Sequence, residues 1–249
     1  VTDRFFISDL HLTRASLKSQ EAFGELCHWL SKRQATQLYI LGDFFQFWLN
    51  CPKFIEDNYQ PVLTHLRQLS DSGIAIHFFL GNHDFLLRSA RNLPQNLIIH
   101  IKGEILSLGK RRYYITHGDD LCRSDYGYRA TKPFLRSRVL EFFFNRLPGR
   151  YQEKIAQTLS ASSQQMVEMK SEHTLKITIR HCQKIIARHS LDGIVYGHVH
   201  KNGLQPIEVE GRSARLLSVG PWEGGAHPVW RYCEAEDRWE EIKETVWRT

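Results

Sequence analysis

Long hydrophobic runs are missing from this chain. Its longest apolar stretches fall far short of the ~18–20 residues that a membrane-crossing helix needs. Cysteine is sparse and shows no paired spacing: Cys27, Cys51, Cys122, Cys182 and Cys233 form an odd, scattered set of five. Such a set reads as free thiols in a reducing compartment, not as a disulfide framework. No leader-like stretch precedes the first strand, which begins near Arg4. Internal repeats and low-complexity tracts are absent too. These absences predict a cytoplasmic globular protein that can still rest on a membrane face.

The 249 residues are 42% hydrophobic and 24% charged, enough to build a core without staples. The formal net charge of +6 favours anionic partners, whether phosphorylated substrates, nucleic acid or an acidic membrane surface. Solubility alone would explain that charge equally well.

One stretch organises the rest. An apolar run, Ile74 to Leu80 interrupted by His77, ends in Gly81-Asn82-His83-Asp84. A buried strand that delivers metal-binding side chains has this form. The pattern recurs: Phe5-Phe6-Ile7 leads to Asp9-Leu10-His11, and Leu38 to Leu41 leads to Gly42-Asp43. Tyr113 to Thr116 leads to His117-Gly118-Asp119, and Ile194 to Tyr196 leads to Gly197-His198-Val199-His200. A lone Asp or Asn beyond a strand is ordinarily a turn former or a helix cap. The recurrence of the pattern on five strands is what points to a shared site.

Between the strands, helices are predicted over 19–33 (inward Phe23, Leu26, Cys27, Leu30), 58–72 (Val62, Leu63, Leu66, Leu69) and 173–189 (Leu175, Ile179, Cys182, Ile186). Gly73 is placed to end the second. Strand–helix–strand–helix–strand predicts a parallel-type α/β sheet. Its site belongs beyond the carboxyl ends of the strands. A β segment over 97–108 and a strand over 112–116 read as a hairpin about Gly109-Lys110. Two β segments, 214–219 and 229–233, close the chain.

Asp9, His11, Asp43, Asn82, His117, His198 and His200 combine carboxylate, amide oxygen and imidazole, donors suited to Mn, Fe, Zn or Mg. No thiolate joins them, which argues against a structural zinc site. Seven donors exceed one ion and suit two. Two ions ~3.5–4 Å apart clamp the attacking and leaving oxygens of a displacement at phosphorus, and lower the pKa of a bound water toward ~7. Asp43, from the middle strand, is placed to bridge them.

Taken together, the five motifs resemble the full set of the calcineurin-like metallophosphoesterases, over about residues 4–200. The resemblance implies a four-layer α/β/β/α sandwich in a single domain over 1–249. It implies that Asp9, His11, Asp43 and His200 hold one ion, and Asp43, Asn82, His117 and His198 the other. Within the family, three stretches are most similar to the UDP-2,3-diacylglucosamine hydrolases of lipid A biosynthesis. They are Tyr39-Ile40-Leu41-Gly42-Asp43-Phe44-Phe45-x-x-Trp48, Asn82-x-Asp84-Phe85-Leu86-Leu87, and His117-Gly118-Asp119-x-Leu121-Cys122-x-x-Asp125-x-Gly127-Tyr128. A late Gly220-x-Trp222 adds to them.

That likeness implies Mn2+ as the metal and cleavage of UDP-2,3-diacylglucosamine to UMP and the acylated sugar 1-phosphate. It also implies the cytoplasmic face of the inner membrane as the place of work. Asn82, His83, Asp125, Tyr128, Ser163, Lys170 and His198 would touch the substrate. Two residues depart from that branch: His83 stands where it has arginine, and Gln46 where it has an acid. His83 can contact the phosphoryl group or protonate the leaving oxygen. The catalytic candidates are therefore His83, at the phosphate, and Asp84, one layer behind it.

From Asp120 to Glu172 the pattern changes to a helical insertion broken at Pro148-Gly149. Phe134, Leu135, Phe142, Phe143, Phe144 and Leu147 interleave with Arg129, Arg136, Arg138, Arg146 and Arg150. This reads as a lid that wraps acyl chains and steers a pyrophosphate; an amphipathic pair docked on the core is the plainer alternative. The same mix can bind RNA, but no stacking motif accompanies it, so no nucleic-acid partner is expected. The rival readings are a metallophosphoesterase for a soluble nucleotide or a phosphoprotein, and a non-catalytic scaffold. A scaffold should have lost ligands, and none is missing.

Overall fold

Alternation along the first strand decides the architecture. Strand β1 (Asp3–Ile7) buries Phe5, Phe6 and Ile7 completely, but into two different cores. Phe5 and Ile7 join the side chains of α1 (Leu17–Lys32) and α2 (Pro52–Asp71). Phe6 points the other way, stacking on Tyr39 with ring centroids 4.6 Å apart and meeting Trp239 edge-on at 4.9 Å. A strand with apolar residues on both faces must be covered on both. Truncating Phe6 to alanine should cost about 3–5 kcal/mol.

The computed structural model describes residues 3–33, 37–91, 93–123 and 177–248, with isolated positions between 142 and 158. After β1 come β2 (Gln37–Ile40), β3 (Ala75–Phe79), a 3-10 turn (Phe85–Ser89) and β4 (Leu97–His100). Then follow β5 (Glu104–Leu108), β6 (Arg111–Ile115), α3 (Ile179–His189), β7 (Gly193–Tyr196), β8 (Gly203–Val209) and β9 (Arg212–Ser218). Strands β10 (Val229–Cys233) and β11 (Arg238–Ile242) and a helical turn, α4 (Glu244–Trp247), end the described chain.

One sheet has the order β11-β10-β1-β2-β3-β4, the other β5-β6-β7-β9-β8. The neighbours β1 to β4 are mutually parallel, as are β6, β7 and β9. Between the sheets lie Phe6, Tyr39, Phe79, Tyr113, Val195, Leu217 and Trp239. Cys182 and Ile186 of α3 pack on Ile194, Tyr196, Ile207 and Leu216. The layers are thus α1 and α2, two sheets, then α3: the predicted α/β/β/α sandwich.

Several predicted bounds shift. Helix α2 begins at Pro52, six residues early, because proline at the first helical position forfeits no bond. Gly73 does end it, at φ +89°. The stretch 97–108 is not one β segment: β4 pairs with β3 in one sheet and β5 with β6 in the other. Its Gly103 marks the crossing, since a Cβ there would lie 2.3 Å from the Tyr114 hydroxyl. Ile179 is exposed, not inward. β8, β11 and α4 are further elements that the sequence pattern does not announce. The insertion over 120–172 lies mostly outside the described residues, as do Asp125, Tyr128, Ser163 and Lys170.

Candidate metal centre

Every strand that points at the centre stops just before the residue that matters. β1 releases the chain into Asp9 and His11, β2 into Asp43, β3 into Asn82, β6 into His117, and β7 into His198 and His200. The turns are tight. Asp9, His11, Asp43, His198 and His200 all have left-handed backbone, with φ of 52°, 45°, 48°, 69° and 49°. They make up five of the eight such non-glycine residues among those described, so the strain is concentrated at this one place. Glycine supplies the remaining room. A Cβ on Gly81 would lie 2.1 Å from Asp43 Oδ1, and one on Gly197 1.9 Å from Ser8 Oγ.

Three overlapping trios result: Asp9, His11 and His200; His11, Asp43 and His83; Asp43, His117 and His198. Within each, one donor atom per residue lies within 4.8 Å of the others. Asn82 joins the last through its Oδ1, 3.0 Å from His117 Nε2. All seven predicted ligands therefore converge, and the middle trio joins the outer two, sharing His11 with one and Asp43 with the other.

The surroundings aim each donor. Asp9 Oδ2 accepts the Ser8 hydroxyl (2.5 Å) and the His198 N–H (2.9 Å), which leaves Oδ1 turned inward. Asp43 Oδ1 accepts the His83 N–H at 2.9 Å, and Oδ2 faces His117 Nε2 at 3.5 Å. His117 Nδ1 donates to the Leu41 carbonyl at 2.7 Å, so its Nε2 faces the centre. His83 Nδ1 donates to the Gln46 carbonyl at 2.9 Å, and its Nε2 stands 4.0 Å from Asp43 Oδ2. The two residues that departed from the family branch are thus neighbours.

Asp84 is wholly buried and accepts the Gly81 N–H (2.8 Å) and the Phe44 N–H (2.9 Å). It ties the turn after β3 to the turn after β2, which makes it a positioning group rather than one that meets substrate.

Electrostatics fit a cation. Burial pushes the Asp9 carboxyl up, and Asp43 pushes it further. Burial would raise Asp43 as well, but His117, His83, His11 and His198 hold it far below the usual carboxylate range. Burial carries His11 and His198 down to about 3, so both are neutral lone-pair donors. Burial also opposes a charge on His117, yet Asp43 and Asp9 raise it, so a proton favours the same pocket of negative potential. Asp84 is raised to about 7, first by burial and then by Asp43. Asp9 Oδ1 and His11 Nδ1 are buried without any hydrogen-bond partner. Buried polar atoms are rarely left so, and inward-facing oxygen and nitrogen donors are what a divalent ion takes. The residues present fit the metals that the sequence implied.

Reading the sequence missed three supports. Ser8 braces Asp9 from the adjacent position, a signal that was on view. The Trp222 N–H donates to the Asp9 carbonyl at 3.1 Å. Glu223 Oε2 approaches His200 Nδ1 to 3.6 Å. These last two come from a distant loop that no local pattern announces.

The chain is similar to known proteins. Residues 5–202 match the model of the calcineurin-like phosphoesterase family. A UDP-2,3-diacylglucosamine hydrolase of Pseudomonas putida is 33% identical over 217 residues, covering 87% of this chain and 90% of its own. One from Pseudomonas entomophila is 32% identical over 221 residues, covering 87% and 90%. Among solved structures, a dimetal phosphatase from Danio rerio aligns over 93% of this chain and 92% of its own, with 14% identity and a TM-score of 0.48.

Proposed function

Since the chain belongs to the calcineurin-like phosphoesterase family and is a metal-dependent phosphoester hydrolase, we propose that it cleaves the pyrophosphate of UDP-2,3-diacylglucosamine. The products are UMP and 2,3-diacylglucosamine 1-phosphate. The observation that carries this reading is the pair of Asp/His groups joined through His11 and Asp43, on a chain alike along 87% of its length to hydrolases of that name.

Asp9, His11, Asp43 and His200 would hold one ion; Asp43, Asn82, His117 and His198 would hold the other. A pair of divalent ions, Mn2+ in this proposal, supplies Lewis-acid charge to the phosphoryl oxygens and acidifies water. The chain's own part is geometry. Ser8 and the His198 N–H keep Asp9 Oδ1 inward, and the Leu41 carbonyl fixes the tautomer of His117. The Gln46 carbonyl turns His83 Nε2 toward the centre, where a proton can be held for the leaving oxygen. Asp84 keeps the two turns in register. The acyl chains fall to the insertion over 120–172, with Asp125, Tyr128, Ser163 and Lys170 touching the substrate. The work is done at the cytoplasmic face of the inner membrane. No helix among the described residues is long and apolar enough to cross that membrane.

Mass spectrometry of products from the purified Mn-loaded protein and the UDP-lipid tests this. UMP and the acylated sugar phosphate are expected in equal amounts. His83 favours one second reading, a phosphatase-like enzyme for a soluble nucleotide or a phosphoprotein. Faster turnover on a soluble nucleotide than on the lipid would decide for it.

A further inference from the structure

A cavity of about 640 Å3 opens directly beside the metal centre, with His200 in its wall. The loop from Pro221 to Pro228 forms one side, and Asn202 with Glu241 to Glu244 the other. Its walls are fixed in advance. Asn202 Oδ1 accepts the Trp230 indole N–H (2.7 Å) and the Gly220 N–H (3.2 Å), while its amide donates to Glu241 at 2.7 Å. Glu244 Oε1 accepts both the backbone N–H (2.8 Å) and the ring Nδ1 (3.0 Å) of buried His227. Small-ligand sites are commonly preformed clefts of about 300–1,000 Å3.

The lining selects among the parts of a nucleotide-linked lipid. Glu223, Glu241 and Glu244 outnumber Lys243, so a diphosphate is disfavoured there and stays at the metals. Apolar surface from Pro221, Ala226, Pro228 and Ile242 lies among the carboxylates, so long acyl chains there would set hydrocarbon against charge. An uncharged group rich in O–H and N–H donors matches. Carboxylates accept ribose hydroxyls well, and the apolar part of the lining, from Pro221, Ala226, Pro228 and Ile242, can meet a base. We infer that this cavity seats the nucleoside, base and ribose, of the substrate, so that the scissile phosphate is presented at the His200 side of the centre. The inference rests on the proposed function for the identity of the nucleoside.

Calorimetric titration of the full Mn-loaded chain tests it with no lipid present, so its outcome is separate from that of the product assay. Uridine monophosphate should bind at least about tenfold more tightly than inorganic phosphate, which needs the metals alone. Ala226→Trp, which fills the cavity from an exposed loop position, should erase that advantage. Changing the ligand avoids any question of folding: 2′,3′-dideoxyuridine monophosphate should lose most of the advantage on the unaltered protein. Equal affinity for uridine monophosphate and phosphate, or an advantage that survives both the tryptophan and the loss of the hydroxyls, overturns the assignment.

Discussion

At the amino ends of β6 and β7, Arg111 donates to Asp237 at 2.8 Å and to Asp192 at 3.1 Å, and Tyr232 adds its hydroxyl to Asp237 at 2.5 Å. At the carboxyl ends of the same two strands, His117 and His198 face Asp43, and nearby Asp9 Oδ1 has no partner. Both clusters are carboxylate-rich. The first is partly exposed and balanced by a guanidinium. The second is buried, and its own groups leave it incomplete: its backbone is held left-handed at five positions and its carboxyls are driven apart in acidity. Acids whose partner is built into the fold settle a structure. Acids whose partner must be supplied from outside make a site and cost stability until it arrives.

The largest effect should come from separating the two costs. Asp9→Asn keeps the shape of the side chain and removes a buried charge. Hydrolysis should fall on the order of 10^3-fold, the several kcal/mol expected when a ligand to a catalytic ion is lost. The melting temperature of the metal-free protein should hold or rise, because burial and Asp43 both disfavour that carboxylate. A parallel collapse of activity and metal-free stability would mean that Asp9 is a structural acid like Asp237.

Metal removal comes next. A chelator should lower the melting temperature, and re-added Mn should restore it in a concentration-dependent way. Stabilisation by a site-bound ion is about 2.7 kcal/mol at a hundred times its Kd. Metal analysis of the reloaded protein should find two ions per chain. A melting temperature indifferent to chelator and metal would remove the contrast between the two ends.

The legible and illegible parts of the molecule follow the same divide between local and distant partners. The seven ligands could be read because each stands two to four residues past an apolar strand, so fold and chemistry share one local signal. The strands β8 and β11 could not. They lie at the sheet edges; β8 is mostly exposed and carries Pro206, a residue that edge strands tolerate, and β11 buries only Trp239. Ile179 was misread because a helical stripe predicts which residues can face the core but not where the core ends. Glu223 reaches His200 from a loop whose position depends on Trp222, packed between Phe23 and Trp247. Only the folded chain brings these together.

A third comparison point sits between the sheets. His77 Nδ1 lies 3.0 Å from His100 Nε2, and His100 Nδ1 3.0 Å from Glu104. Burial first, then His100, carries His77 down to about 4, against an ordinary value of 6.5; Arg4 opposes its charge as well, while Glu104 favours it. The fold therefore holds His77 neutral, while the unfolded chain takes up a proton below pH 6.5. The stabilisation is full above about 6.5 and is lost as pH falls toward 4. The metal-free protein should lose melting temperature across that window, and His77→Phe should flatten part of the slope. An unchanged slope in the variant would assign the acid sensitivity to other groups.

The smallest effect should be at Arg111, although its network is the best paired in the comparison. The side chains of Arg111, Asp192 and Asp237 are 40%, 33% and 39% exposed, so water and salt already screen their charges. Burial contributes little to the cost of either partner, and losing one leaves the other solvated rather than stranded. Arg111→Gln should therefore cost no more than about 1 kcal/mol, and less at high salt. It should leave metal content and turnover unaltered, because β6 carries the change at one end and His117 at the other. Chemical denaturation at low and high salt, with metal analysis alongside, measures all three. A loss of bound metal in Arg111→Gln would show that the two ends of the strands are coupled and would end the comparison as drawn.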